Sequence, residues 1–402
     1  MVFSKEVILI VIIMLIIFII LWMKADFYLG KRKTTHMLKE YPVRKGDVEF
    51  FGNGTYYFST LFKDVSNAES YVHLSFYRFK HDSVGKEFLQ LLKTKAKENV
   101  KVRLLLDFVG SVSFPKKEAR DLKKHGVELV YSHRPSFPFF FTSLNRRNHH
   151  KIIVIDGKIG FVGGFNVGDN YAEKNPNIGF WRDYMVRVKG SGVEDLQDQF
   201  LSHWYKSGRD GVTKETVLPD LSEGKSSFQL FASNGGFFDS KVINLIKSAK
   251  NRILIGSPYF IPTPKVKIAL LEAAKRGVEI KVIIPEKADQ PLVKERAFSE
   301  FSYLMEKGIQ LFLYKNGFYH AKIMLVDQNA AYVGTSNFDI RSFRTNDELI
   351  LFTSDKNFLG KIEENLQEDL LHSEKQSLSD IKAKNVLTKT KRAAAHLFSD
   401  FL

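Results

Sequence analysis

The sequence predicts an α/β protein made of two repeated α/β/α sandwich domains, related by pseudo-twofold symmetry and preceded by a transmembrane helix. Residues 149–166 (HHKIIVIDGKIGFVGGFN) and 320–337 (HAKIMLVDQNAAYVGTSN) repeat one pattern of His, Lys, Asp, Gly and Asn. Apolar strands alternate with amphipathic helices around both stretches, as in βαβ units. A long apolar run lies near the N-terminus.

Composition allows two moderate hydrophobic cores and restricts the chemistry. The chain has 402 residues, of which 44% are hydrophobic, so two domains are the better expectation. It contains no cysteine, which excludes disulfides, thiolate metal sites and a cysteine nucleophile. The net charge of +15 is spread along the chain and favours an anionic partner, either acidic lipid or nucleic acid, although solubility alone is a simpler explanation.

Residues 7–23 (VILIVIIMLIIFIILWM) form an uninterrupted apolar run. As a helix this run is about 25 Å long, which is enough to cross a bilayer core. A cleaved signal peptide is the alternative, but its apolar region would be shorter and would end in small residues. This run ends in Leu21, Trp22 and Met23. We therefore predict an uncleaved membrane anchor over residues 1–25.

The charges around this run predict its orientation. Lys5 and Glu6 precede it and offset each other. The cations that follow it are Lys24, Lys31, Arg32, Lys33 and Lys39. The positive-inside rule places such a segment in the cytoplasm. We expect a single-pass protein of the cell membrane with its catalytic domain on the cytoplasmic side and a basic juxtamembrane linker over residues 26–47.

The repeat extends beyond the two motifs. Similar apolar strands contain Ser75 and Ser257, and a helix and a further strand follow each. Gly126 and Gly308 both lie 51 residues after these serines. This register predicts a parallel-rich sheet in each half, covered by helices on both faces. The predicted segments are a first half (48–212), a linker (213–226), a second half (227–375) and a basic amphipathic tail (376–402).

Eleven extra residues interrupt the repeat just before the first motif, within residues 134–148 (RPSFPFFFTSLNRRN). Pro135 and Pro138 disfavour a regular helix or a central strand there. The second half lacks the segment, so the shared core does not require it. We expect it at the surface, at the mouth of the active site, with its four phenylalanines at the bilayer interface.

The two motifs supply the candidate catalytic residues, namely His149, Lys151, Asp156, His320, Lys322 and Asp327. Alternate residues of a strand share a face, so His and Lys of each motif lie together while Asp and His150 point away. The two Asp therefore resemble structural or supporting residues. Lys gives a charge for phosphoryl oxygens, and His can attack phosphorus or move a proton. Asn166 and Asn337 are predicted phosphate ligands.

A histidine nucleophile needs a carboxylate or carbonyl on its second ring nitrogen, to fix the tautomer and stabilise the developing charge. Asp183 and Glu348 are the candidates, 34 and 28 residues after the His of their own half. A zinc site using both motif histidines and His150 has no carboxylate at a ligand-like spacing, and the lysines would repel the cation. We predict no metal and no cofactor.

The doubled pattern H-x-K-x4-D-x6-G-x2-N resembles that of the phospholipase D superfamily, and longer stretches resemble bacterial cardiolipin synthases. These stretches are NRRNHHKIIVIDGKIGFVGGFNVGDNY, FWRDYMVRVKG, SPYFIP, GFYHAKIMLVD and NFDIRSFRTNDE. The resemblance covers about residues 45–402. It implies that both motifs form one metal-free active site and that phosphatidylglycerol is the substrate. It implies that His149 attacks phosphorus while His320 protonates the leaving glycerol and later deprotonates the acceptor, giving cardiolipin.

Several alternatives stay open at this stage. Lipid hydrolysis with water as acceptor and phosphatidylserine synthesis use similar motifs. A membrane-tethered nuclease would suit the basic charge, but the aromatic insertion is unhelpful for a polyanion, so we expect no nucleic acid. A non-catalytic scaffold would be expected to have lost a paired residue. Many relatives have two N-terminal spans, and this chain shows one; GTSN in place of GGFN in the second motif is expected to be harmless.

Overall fold

The computed structural model describes residues 4–33, 37–208, 224–236, 238–287, 292–382 and 390–393. Most of the predicted linker (213–226) and much of the predicted tail (376–402) lie outside the described residues. The helices are α1 (Lys5–Lys33), α2 (Gly54–Ser66), α3 (Ser83–Lys97), α4 (Lys116–Lys124), α5 (Phe140–Asn145), α6 (Gly192–Lys206), α7 (Phe238–Ser248), α8 (Pro264–Lys275), α9 (Val293–Met305), α10 (Ile340–Arg344), α11 (Lys356–Leu371) and α12 (Leu378–Ile381).

The strands of the first half are β1 (Met37–Phe51), β2 (Tyr71–Phe76), β3 (Lys101–Asp107), β4 (Glu128–Ser132), β5 (Ile152–Ile155), β6 (Ile159–Gly163), β7 (Trp181–Arg182) and β8 (Met185–Gly190). Those of the second half are β9 (Ser226–Asn234), β10 (Arg252–Gly256), β11 (Phe260–Ile261), β12 (Glu279–Pro285), β13 (Gln310–Tyr314), β14 (Phe318–Tyr319), β15 (Ile323–Val326), β16 (Ala330–Gly334), β17 (Phe338–Asp339), β18 (Asp347–Thr353) and β19 (Ser373–Lys375). The predicted α/β class and internal repeat are confirmed.

One mixed sheet of fifteen strands runs through both halves, in the order β19-β13-β12-β10-β15-β16-β18-β9-β1-β8-β6-β5-β2-β3-β4. Only β2-β3-β4 and β10-β12-β13 are parallel within it. The expectation of a parallel-rich sheet in each half is therefore wrong. Each motif forms a tight hairpin, β5–β6 or β15–β16, and a short turn can join only antiparallel strands.

Strand β1 lies at the junction of the halves, where it pairs with β8 on one side and β9 on the other. Within the predicted linker over residues 26–47, residues 26–33 instead complete α1 and residues 37–47 form most of β1. Two of their basic side chains have partners on α6: Arg44 Nη2 lies 2.6 Å from Asp195 Oδ1, and Lys39 Nζ contacts the Asp198 carboxylate. The two halves are thus joined by a strand that sequence repetition does not mark.

Hydrophobic side chains fill both faces of this sheet. On one face α6 and α11, one from each half, cover a core that crosses the junction and includes Phe200, Trp204 and Phe358. On the other face α2, α3 and α4 cover one core, and α7, α8 and α9 cover a second. Strand β5 alternates between the faces: Ile152 belongs to the shared core and Ile153 to the core of the first half.

Helix α1 is long and apolar enough to cross a membrane, with a mean hydropathy of 3.2 over a window within Lys5–Gly30, and residues 7–21 of its apolar run are exposed. Its last turns contact the predicted insertion. The rings of Trp22 and Phe141 lie 4.9 Å apart, and the Asp26 carboxylate accepts hydrogen bonds from the Thr142 amide and hydroxyl at 2.8 and 2.7 Å. The insertion therefore lies where α1 meets the folded body.

The insertion is at the surface, as predicted, but it is partly helical. Helix α5 begins at Phe140, immediately after the prolines that disfavour helix. Phe137 is 75% exposed and stacks on Phe140. The end of the insertion reaches the active-site cleft, which Arg147 helps to line. Phe137 at its exposed tip and Arg147 at the cleft are ten positions apart in the sequence (147 minus 137).

Candidate active site

A cleft of about 430 Å³ lies between the two halves, and both motifs reach it. His149 directly precedes the hairpin β5–β6, and His320 directly precedes β15–β16. These two histidines line the cleft together with Asn166 and Asn337, which follow the hairpins. The structure thus brings together one imidazole and one amide from each half.

Backbone hydrogen bonds tie each motif to the opposite half. The amide of His149 donates to the Asp347 carbonyl at 2.9 Å, and the amide of His320 donates to the Arg182 carbonyl at 2.7 Å. The short strands β7 and β14 pair across the same junction. The approach of the two histidines is therefore fixed by the interface between the halves.

The carboxylates are exchanged between the halves. His149 Nδ1 lies 2.9 Å from Glu348 Oε2, and His320 Nδ1 lies 2.6 Å from Asp183 Oδ2. Both carboxylates contact a motif histidine, but the expectation that each supports the His of its own half is wrong. The carbonyl of Asp347, the residue before Glu348, accepts from the His149 amide, and that of Arg182, before Asp183, accepts from the His320 amide. These backbone hydrogen bonds place each carboxylate against the histidine ring of the other half. With Nδ1 occupied, Nε2 of His149 is the nitrogen left for chemistry.

The motif lysines lie beneath the histidines. Lys151 is fully buried, and its Nζ donates to the His149 carbonyl at 2.9 Å. Lys322 is also buried, and its Nζ contacts the Asp183 carboxylate at 3.3 Å and the His320 carbonyl. Two ammonium groups under one cleft supply positive potential for a phosphodiester.

Burial and these charges shift the pKa values of the site. Burial lowers the pKa of His149 well below its ordinary value, and Lys151 and Lys322 add to the effect. Burial raises the pKa of Glu348 to about 7, although Lys151 opposes the shift. Burial also opposes ionisation of Asp183, but Lys322 and His320 outweigh it and lower its pKa. The surroundings thus favour a neutral His149 above Glu348 and an ionised Asp183 beneath His320.

The two asparagines make different contacts. Asn166 Oδ1 accepts a hydrogen bond from the Arg78 amide at 3.0 Å, which leaves its NH2 group as a donor. Asn337 Nδ2 donates to Asp339 Oδ2 at 3.2 Å, and its Oδ1 has no hydrogen-bond partner. Burial raises the pKa of Asp339 to about 6. Only Asn166 is therefore arranged as the simple donor that the sequence predicts.

The motif aspartates do not line the cleft. Asp156 accepts hydrogen bonds from the amides of Glu69, Ser70 and Tyr71, at 2.8 Å each, where β2 begins. In the second half, Asp327 accepts from the corresponding three amides before β10, at 2.8–2.9 Å. Both therefore have the structural role that their strand face indicates, and their place in the catalytic set is not supported by the geometry.

Sequence reasoning missed several cleft residues. They are Tyr77, Arg78, Arg147, Trp181, Tyr259, Phe318, Asp339 and Arg341. Repeat register could have found one pair, because Tyr77 and Tyr259 both lie two residues after the matched serines. Aromatic rings flank both histidines: the ring centroids of Tyr77 and His149 lie 5.1 Å apart, and so do those of Trp181 and His320. Within the described residues, no group of three or more His, Asp or Glu side chains could hold a metal ion.

The Thr of GTSN, predicted to be harmless, contacts the carboxylate that pairs with His149. Thr335 Oγ1 donates to Glu348 Oε2 at 2.5 Å and accepts from the Leu349 amide at 2.9 Å. The first half has Gly164 at this position, where a Cβ atom would lie 2.0 Å from the Asp183 carboxylate. Each half thus matches the residue in its Gly turn to the length of its own carboxylate side chain.

Comparisons with known proteins identify the family. A family model described as "Cardiolipin synthase, PLD-like domain" matches residues 61–204 and 242–370. The minor cardiolipin synthase ClsB of Bacillus subtilis (strain 168) is 36% identical over 377 residues, which are 93% of this chain and 94% of that protein. Cardiolipin synthase 2 of Staphylococcus epidermidis is 35% identical over 363 residues, 89% of this chain and 74% of that protein.

The crystal structure of phosphatidylserine synthase from Haemophilus influenzae Rd KW20 has the same fold. It superposes with a TM-score of 0.68 at 13% sequence identity, covering 94% of this chain and all of that chain. The fold, the two motifs at one cleft and the sequence relatives agree. The chain belongs to the cardiolipin synthase family of phospholipase D-like proteins.

Proposed function

We propose that the protein transfers a phosphatidyl group from one phosphatidylglycerol to a second, forming cardiolipin and releasing glycerol. The observation that carries this proposal is the exchanged pairing of His149 with Glu348 and His320 with Asp183 in one cleft. Relatives over most of the chain are named cardiolipin synthases, which supports a phospholipid substrate. No step of the proposed chemistry requires a cofactor.

The two histidines are electrostatically different, which supports their assignment. Burial and the lysines favour a neutral His149, as a nucleophile requires. The ionised carboxylate of Asp183 stabilises a positive ring at His320, as a general acid requires. In the first step His149 Nε2 forms a bond to phosphorus, the bond from phosphorus to the glycerol oxygen breaks, and His320 protonates that oxygen. Glu348 stabilises the charge that develops on the His149 ring.

The second step reverses the roles around phosphorus. Neutral His320 accepts the proton of a glycerol hydroxyl on a second phosphatidylglycerol, whose oxygen attacks phosphorus and breaks the bond to His149 Nε2. The buried ammonium groups of Lys151 and Lys322 stabilise negative charge on the phosphoryl oxygens in both steps. The products balance as one cardiolipin and one glycerol for two phosphatidylglycerols.

The membrane arrangement forms part of the proposal. Helix α1 serves as a single anchor, and the excess of cations after it supports a cytoplasmic location for the folded body. The contact of Trp22 with Phe141 supports a position of the insertion near the bilayer surface. Because the insertion leads directly to His149, a headgroup entering the cleft need not leave the interface.

The test is incubation of the purified full-length protein with phosphatidylglycerol vesicles, followed by separation of the lipids and assay of free glycerol. Equal amounts of cardiolipin and glycerol are expected. Phosphatidic acid as the main product would instead show a hydrolase, and phosphatidylserine formed from a cytidine diphosphate-activated lipid and serine would show a phosphatidylserine synthase. Either result would overturn the proposed reaction while leaving the site assignment intact.

A further inference from the structure

A second cavity, of about 260 Å³, lies on the other side of the chain segment that carries His149. His149 lines the catalytic cleft, whereas the neighbouring His150 ring lies 4.6 Å from the ring of His203, which lines the second cavity. The segment 147–149 and Asp347, joined by backbone hydrogen bonds, separate the two spaces. The reaction proposed above makes no use of this cavity.

The cavity is rich in positive charge. Arg134, Arg146 and Lys206 line it, against a single carboxylate, Asp347. That carboxylate is already paired, because Oδ1 accepts from Arg146 at 3.0 Å and Oδ2 lies 3.0 Å from His133 Nε2. Among the described residues, no carboxylate pairs with Arg134 or Lys206. The two cations at the rim therefore have no carboxylate of their own, although the Arg134 guanidinium lies 4.9 Å from the Phe108 ring centroid and Asp347 attracts Lys206.

Buried ring nitrogens also line the cavity without hydrogen bonds. His203 is 2% exposed, and its Nε2 has no partner within hydrogen-bond distance, since Asp347 Oδ2 is 3.8 Å away. His133 Nδ1 is likewise buried and unpartnered. Native proteins leave few buried polar atoms unsatisfied, and each such atom needs an explanation. A bound group that accepts hydrogen bonds would satisfy them.

We propose that this cavity is a second oxyanion site that binds a phosphate group, separate from the catalytic cleft. Guanidinium and ammonium groups with imidazole donors are the set that recognises phosphate oxygens. The position of the cavity favours a lipid headgroup as the source of the phosphate. Ser143 lines the cavity, and its neighbour Thr142 is hydrogen-bonded to Asp26 of α1, one turn beyond Trp22.

The experiment uses the absence of native cysteine. Ser207 lines the cavity at the end of α6, so Ser207→Cys carries a single trifluoromethyl tag. The full-length protein is titrated with inorganic phosphate in detergent, and the fluorine chemical shift of the tag is recorded. The same protein is then placed in bilayer discs of phosphatidylcholine with or without phosphatidic acid, which carries a phosphate and no head alcohol to transfer.

A saturable shift of the tag is expected with phosphate in detergent, and with phosphatidic acid in discs without added phosphate. A response to phosphate alone would identify free phosphate as the ligand and overturn the lipid assignment. Arg134→Gln and Lys206→Gln should each weaken the response about tenfold, or ~1.4 kcal/mol, whereas Lys206→Arg should retain it. Both glutamine substitutions remove a positive charge from the cavity rim and leave the contacts of Asp347 with Arg146 and His133 intact.

The matched control is the double variant Lys97→Gln, Arg120→Gln, which removes one lysine and one arginine from exposed positions on α3 and α4. It should respond like the parent. The proposed site is wrong if neither phosphate nor phosphatidic acid moves the tag signal. It is also wrong if the Arg134→Gln, Lys206→Gln double variant and the control respond equally. Because the readout is binding, its failure is distinct from failure of the proposed reaction.

Discussion

Glu348 Oε2, in the second half of the chain, lies 2.9 Å from Nδ1 of His149 in the first half. Asp183 of the first half holds His320 of the second half at 2.6 Å. Within the described chain, each motif histidine is therefore paired with a carboxylate of the other half. Each motif acquires its orienting group only when the interface between the halves forms.

The first prediction concerns this exchange. Glu348→Gln should lower turnover by about 10²–10⁴-fold, because the amide cannot stabilise the charge that develops on His149. Asp183→Asn should lower turnover by a factor of the same order. The measurement is the rate of cardiolipin formation, with melting temperature as a control for folding. Near-normal turnover in either folded variant would show that the exchanged pairs are not catalytic.

A covalent intermediate should accumulate in His320→Asn. This variant keeps the nucleophile His149 and its carboxylate but lacks the acid of the first step and the base of the second. Label accumulates because loss of the base slows the second step more than loss of the acid slows the first. Phosphorus-labelled lipid should remain on the protein, and peptide mapping should locate it at His149. Label on a different residue would reassign the nucleophile, and His149→Ala is the control that should carry no label.

Activity should depend on pH in a bell shape near neutrality. Glu348, whose pKa burial raises to about 7, must lose its proton to stabilise a charged His149 ring, so activity rises as pH increases through that value. Lys151, whose pKa burial lowers to about 7, loses its charge over the same range, so activity then falls. The apparent values belong to the coupled group. Lys151→Arg should extend activity to higher pH; an unchanged alkaline limb would contradict this assignment.

The insertion should matter for bilayers more than for chemistry. Replacing Phe137, Phe139, Phe140 and Phe141 with Ser should lower turnover on phosphatidylglycerol vesicles at least tenfold, because the interfacial apolar surface is lost. Turnover on short-chain phosphatidylglycerol dispersed as monomers should change much less. Ile268→Ser with Leu371→Ser, at exposed apolar positions on α8 and α11, is the control. Equal losses on both substrates would indicate a structural role in the core.

The motif aspartates should affect stability rather than turnover per folded molecule. Burial opposes ionisation of Asp327, but the hydrogen bonds that it accepts from three backbone amides outweigh this effect and lower its pKa. A lowered folded-state pKa adds stability above the unfolded value near 4, and that stability is lost as pH falls. Asp327→Ala should cost about 1–3 kcal/mol at neutral pH, measured by denaturant unfolding. Unchanged stability with lost turnover would restore a catalytic role.

Much of the site could be predicted because the sequence contains the same motif twice. Two in-register copies identified His149, Lys151, His320 and Lys322, and strand alternation correctly turned Asp156 away from them. The exchange of carboxylates could not be predicted, since distance along the chain carries no information about which side of an interface a residue faces. Arg341 and Arg147 were missed for a similar reason: Arg341 lies on the short helix α10 and Arg147 lies in the insertion, and the repeat shares neither segment.

The sequence by itself determined the α/β class, the internal repeat, the apolar N-terminal helix and the identity of both motifs, because these depend on local periodicity and spacing. Tertiary structure alone decided that the halves share one mixed sheet through β1, that His149 and Glu348 meet across the junction, and that α1 contacts the insertion. Such contacts join residues far apart in the chain. Their geometry is set by packing between layers, which no local pattern records.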